Sequence, residues 1–118
     1  MNGPETIGEV QRVGMVIGIH EHMLPAYRDL HADSHPGVRD LLTRANIRNF
    51  SIFVQRLPDG QHYLFGYYEY TGADYRADMD RLNREPRNAA WLAMTDPMQI
   101  PFPGEESWRM MEPVYYNP

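Results

Sequence analysis

A chain of 118 residues, 42% hydrophobic and 23% charged, has the length and composition of one globular domain. Eleven Lys and Arg against sixteen Asp and Glu leave a formal net charge of −5, which repels phosphate backbones and argues against nucleic acid as a partner. The lack of cysteine rules out disulfides, thiolate nucleophiles and cysteine metal sites.

Residues 1–9 are polar, carry Gly3, Pro4 and Gly8, and read as a flexible leader before one domain over residues 10–118. They lack the charged-then-apolar form of a signal peptide, and no apolar run reaches membrane length, so the expectation is a cytoplasmic chain without a membrane partner. Val13, Met15, Ile17 and Ile19 alternate as in a strand. Pro25 suits the first turn of a helix, on which Leu24, Tyr27, Leu30 and His31 share a face. Pro36 and Gly37 break it, and Val38, Leu41, Leu42 and Ala45 space a second helical segment.

Asn49 to Gln55 reads as a strand, Pro58-Asp59-Gly60 as a turn, and Tyr63 to Tyr70 as a strand with four tyrosines and a phenylalanine. Tyr75, Met79 and Leu82 mark a helix, and Pro86 opens a shorter one with Ala89, Ala90, Trp91 and Met94. A proline-rich stretch from Asp96 to Ser107 reads as a structured loop, and Trp108 to Tyr116 as a last strand. The expected strands lie near residues 10–19, 48–56, 62–70 and 108–116. Their order predicts an α+β, ferredoxin-like fold: a four-stranded antiparallel sheet with helices on one face. The uncovered face, rich in Tyr, Phe and Met, must bind a ligand or a second copy, and a homodimer is expected.

Tyr27 and His31, four residues apart, project from one helix face. A histidine there exchanges protons near neutral pH, and a neighbouring phenol can orient a hydroxylated ligand; equally, both can simply line the core. His20 and His22 flank Glu21 without a third ligand at motif spacing, so they read as a solvated loop and no metal site is expected. His35 reads as a helix-end residue and His62 as a turn residue without a role. Trp91 offers either a flat face to ligand C–H groups or core volume. Glu85, Asp96, Glu105 and Glu106 read as cap or loop carboxylates.

From about Val13 to Pro118 the chain resembles the L-rhamnose mutarotase family. The resemblance lies in Val13-Gly14-Met15-Val16-Ile17, Tyr27-Arg28-Asp29-Leu30-His31, Asn49-Phe50-Ser51-Ile52-Phe53, Trp91-Leu92-Ala93-Met94-Thr95-Asp96-Pro97-Met98 and Glu112-Pro113-Val114-Tyr115-Tyr116-Asn117-Pro118. It implies a homodimer of the dimeric α+β barrel type, acting without cofactor to interconvert the α and β anomers of a free monosaccharide such as L-rhamnose. It makes His31 the proton donor, and Tyr27 and Trp91 sugar-binding residues. Phe50 stands where the family has a tyrosine, and Ala90 where it has the first of two adjacent tryptophans, Trp91 matching the second; both changes predict a wider, less polar pocket. They leave open another sugar such as L-fucose, or a binding module without catalysis.

Overall fold

The computed structural model describes residues 10–118; the leader expected over residues 1–9 lies outside the described residues. Strand β1 (Gln11–Ile19) leads through a 3-10 turn (Glu21–Met23) into α1 (Leu24–Leu30), and α2 (Arg39–Arg44) follows. Next come β2 (Ile47–Arg56), β3 (His62–Tyr70), α3 (Tyr75–Asn83) and α4 (Pro86–Thr95), then a 3-10 turn (Asp96–Met98), β4 (Gln99–Ile100) and β5 (Arg109–Met111). The sheet is antiparallel in the order β2-β3-β1-β4, with β5 also on β1. The α+β class and ferredoxin-like strand order are as the sequence predicts.

Alternation decides which residues of the central strands turn inward. Met15, Ile17 and Ile19 of β1 and Leu64, Tyr68 and Tyr70 of β3 are buried. One group of core residues joins Met15 and Tyr68 to Val38, Leu41, Ala45 and Leu82. The other joins Ile17, Ile19 and Leu64 to Leu24, Tyr27 and Met98. Each fully buried aliphatic side chain contributes about 1.5–3 kcal/mol relative to exposure, so these two groups anchor α1, α2 and α3 on the sheet. At the end of β3, buried Asp78 of α3 accepts from Tyr70 Oη at 2.5 Å and Asn46 Nδ2 at 2.9 Å, and pairs with Arg81. That satisfies polar groups which would otherwise be costly inside the fold.

Two details depart from simple alternation. Between Arg48 and Ser51 strand β2 carries one residue more than β3, and Asn49 sits at φ +54°. This bulge reverses the parity of the strand, so Ile47 before it and Ile52 and Val54 after it all face the helices. Phe50 turns to the same side and packs on Tyr68, with ring centroids 5.5 Å apart.

The last strand expected over 108–116 forms only at Arg109–Met111. Continuing its register would set Pro113 opposite Arg12, and proline has no N–H to give the ladder. Arg12 instead donates to Tyr116 Oη at 2.8 Å. The other piece of this edge, β4, arises inside the stretch expected to be loop. There Gly18 permits the approach of Ile100, because a Cβ on it would lie 2.9 Å from the Ile100 carbonyl oxygen.

Candidate active site

Helix α1 and the loop after it, the bulged part of β2, α4, Gln99 and Trp108 enclose a cavity of about 850 Å³ between the sheet and the helices. Tyr27 and His31 enter it from α1 because i and i+4 share a helix face. Their rings stack at 4.3 Å, and Trp91 meets the His31 ring edge-on at 5.1 Å. Phe50 lines the opposing wall. All four residues singled out in the sequence therefore border one space.

His31 closes α1, and its Nδ1 lies 2.7 Å from the Tyr27 carbonyl oxygen. A carbonyl only accepts, so Nδ1 carries the proton and donates it. Burial lowers the His31 pKa below its ordinary value; the bond to Tyr27 opposes that, while Arg39 and His35 reinforce it. Tyr27 is buried and accepts a hydrogen bond on Oη from Gln99 Nε2 at 3.2 Å. Burial raises its pKa, with the Gln99 bond opposing and Asp96 adding to the rise, so it is a neutral phenol whose own proton remains to be donated.

Trp91 rests on Gly37, where a Cβ would stand 3.1 Å from two indole carbons, and Gly37 itself adopts φ +56°. The Pro36-Gly37 interruption thus does more than end a helix: it makes room for the indole. On α4 the cavity is lined by Asn88, Trp91 and Thr95, spaced i, i+3 and i+7, with Leu92 at its exposed side. Of the residues expected to carry this helix, only Trp91 points inward; Ala89, Ala90 and Met94 are exposed. The inner side of α4 borders a cavity rather than an apolar core, which is why polar residues occupy it. Ala90 does not line the cavity.

Residues that sequence reasoning missed complete the wall. Gln99 is buried against Tyr27, and Trp108 lies over Gly66, where a Cβ would come within 3.3 Å of its ring. The glycine in a tyrosine-rich strand was the one available signal for Trp108; Gln99 offered none. Of the remaining histidines, His35 borders the cavity and the other three stand apart from it. His20 and His22 are exposed with centroids 5.5 Å apart, His62 Nδ1 is 3.9 Å from Glu21, and His35 lies at the rim, 6.0 Å from Trp91. Among the described residues, no group of three or more His, Asp or Glu is arranged to hold a metal ion.

The sequence profile of the L-rhamnose mutarotase family matches residues 12–117. The chain belongs to that family. Among solved structures, an L-rhamnose mutarotase from Formosa agariphila is similar in fold, with a TM-score of 0.66 at 18% identity, over 92% of this chain and 99% of that one. No curated protein sequence matches. Membership of the mutarotase family makes a sugar the class of molecule to consider for the cavity.

Proposed function

We propose that residues 10–118 form one catalytic domain that interconverts the α and β anomers of a free deoxy-aldose such as L-rhamnose, by general acid–base catalysis and with no cofactor. The observation that carries this reading is the His31 ring, stacked on Tyr27 and edged by Trp91 inside a cavity large enough for a monosaccharide. Mutarotation removes the proton of the anomeric hydroxyl and protonates the ring oxygen. The opened aldehyde rotates about its bond to the next carbon and recloses. Acid–base assistance supplies roughly 10²–10⁴-fold, which suits a reaction that already runs slowly in water. His31 delivers the proton to the ring oxygen, the Tyr27 phenol hydrogen-bonds a sugar oxygen, and the Trp91 ring packs on sugar C–H groups.

Phe50 in the wall favours a second reading of the substrate. It presents no hydroxyl, so a sugar less polar at that edge, or another deoxy-aldose such as L-fucose, competes with L-rhamnose. Saturation-transfer NMR on a panel of free sugars tests both. Catalysed exchange that is lost in His31→Ala supports the enzyme and identifies the sugar. Binding without exchange means a sugar-binding module instead, and exchange as fast in His31→Ala as in the parent removes His31 from the chemistry.

The uncovered sheet face supports a homodimer. Phe53 and Phe65 stand opposite each other there, joined by Ile100 and Met111 from the two edge segments. Phe53 is 65% exposed, a large apolar ring to leave in water. Residence in the cytoplasm belongs to the same reading, and no helix among the described residues is long and apolar enough to cross a membrane.

A further inference from the structure

The proton traffic at His31 has a direction that the geometry of its two nitrogens sets. Nδ1 donates to the Tyr27 carbonyl, one helical turn back along α1, at 2.7 Å. That bond is available in both the neutral and the charged ring, and it ties Nδ1 to the protein in each. Every proton exchanged with a ligand must therefore pass through Nε2, which has no hydrogen-bond partner among the described residues. In the neutral ring with Nδ1–H, Nε2 is a lone pair. It is an acceptor before it can be a donor.

The surroundings favour that neutral ring. From α1, Tyr27 stacks on it as an uncharged phenol; from the following loop and α2 come His35 and Arg39; from α4 comes the Trp91 edge. Arg39 donates to the His31 carbonyl at 3.0 Å, and the nearest carboxylate in the loop, Asp33, is paired with Arg39 at 3.3 Å. The charged neighbours thus oppose an imidazolium, and among the described residues no carboxylate is paired with His31. The other groups on the wall are poorer bases for this step. Tyr27 is held protonated, and Asp33 is engaged by Arg39.

We propose that His31 starts each turnover as the base, Nε2 taking the proton of the anomeric hydroxyl and then passing that same proton to the ring oxygen, while Nδ1–H stays on the Tyr27 carbonyl. This deepens the mutarotase reading and rests on it. The step balances within the sugar. The O–H pair of the anomeric hydroxyl becomes the second bond of the carbonyl, the pair of the bond from the anomeric carbon to the ring oxygen moves onto that oxygen, and Nε2 returns the proton there. Both oxygens are bonded to the anomeric carbon, so one nitrogen serves both without the ligand moving. No second catalytic acid or base is needed. His31 is a proton donor only because it has first been an acceptor.

Two measurements on the intact chain test this. The first is the pH dependence of catalysed anomer exchange on L-rhamnose, with the uncatalysed rate subtracted at each pH. A base that must be neutral gives a rate that falls about tenfold per pH unit below its pKa, itself under the ordinary 6.5, and is level from there to pH 8. A resting imidazolium donor gives the opposite limb, a rate that falls as pH rises through the pKa, and that result overturns the proposal. The second is the nitrogen-15 spectrum of His31 in the ligand-free chain at neutral pH. It should show a pyridine-type Nε2 and a protonated, pyrrole-type Nδ1; the reverse tautomer, or a charged ring, overturns it without reference to activity. If exchange is absent on every sugar of the panel, or unchanged in His31→Ala, the site reading fails and the proposal fails with it. The expected tautomer alongside that result identifies the site reading as the part that was wrong.

Discussion

Replacing Gly37 by alanine tests whether the loop between α1 and α2 holds Trp91 in the cavity wall. Two costs arise. The first is backbone: Gly37 sits at φ +56°, where an alanine is disfavoured by roughly 1–2 kcal/mol. The second is steric, because the new methyl would stand 3.1 Å from two carbons of the Trp91 ring. Overpacking a core costs about 1–3 kcal/mol, and the lower end applies here because Trp91 is half-buried and has a cavity to move into. Gly104→Ala is the control. That glycine also has a positive φ, +86°, but a Cβ on it would meet nothing within 4 Å. For a chain of this length about 1 kcal/mol lowers Tm by roughly 4 °C. Gly104→Ala should therefore lose roughly 4–8 °C and Gly37→Ala about 4 °C more. Only the Gly37 variant should also raise KM for the sugar several-fold and shift the tryptophan emission. Equal Tm losses with an unchanged KM and emission would show that Gly37 does not brace the indole, and the account of the wall would be wrong.

Gln99→Leu removes the amide that donates to Tyr27 Oη at little change in volume; KM should rise a few-fold while unfolding stability falls by no more than about 1–2 kcal/mol, and an unchanged KM would remove Gln99 from the site. Asp78→Ala strips Tyr70, Asn46 and Arg81 of their acceptor and should cost about 2–4 kcal/mol in denaturant unfolding. The Asp78 pKa is lowered below 3.8, first by the Tyr70 hydroxyl, then by Asn46 and Arg81, against burial. A depressed carboxyl stabilises the fold above its unfolded pKa, so this contribution should be full at neutral pH and disappear as pH falls below about 3.8. Phe53→Asp on the uncovered face should convert a dimer to monomers in sedimentation while α1 and the cavity stay intact; a parent chain that is monomeric at high micromolar concentration would refute the homodimer.

The central strands were legible because burial on one face imposes a period of two: Val13, Met15, Ile17 and Ile19 alternate as their positions require. Strand β3 was legible as a strand, yet its tyrosines lie on both faces, so the sequence could not say that Tyr68 and Tyr70 go inside while Tyr63 and Tyr67 do not. The extra residue at Asn49 left no signature in the pattern, although it decides that Phe50 faces the cavity. The last strand was overread because Trp108 to Tyr116 has strand composition, whereas its length is limited by one missing N–H at Pro113. In the site, Tyr27 and His31 were legible through helical spacing alone. Trp91 and Phe50 were picked out as ligand-binding through family resemblance, and Gln99 escaped both, because its role depends on a contact with a residue 72 positions away.

The divided edge strand has an evolutionary consequence. Gln99 and Ile100 pair with Ile19 and Gly18, and Arg109 pairs with Val16, so the whole excursion between Ile100 and Arg109 stands opposite Ile17 alone. Both its ends are fastened to the same strand, and the sheet does not register how much chain lies between them. Ser107 and Trp108, at the end of that excursion, line the cavity. Insertions, deletions or exchanges around Gly104 therefore reshape one wall of the binding space while the strand pairing and the α1 face with Tyr27 and His31 stay in place. New ligand preferences can be acquired at this segment by changes of length as well as of residue.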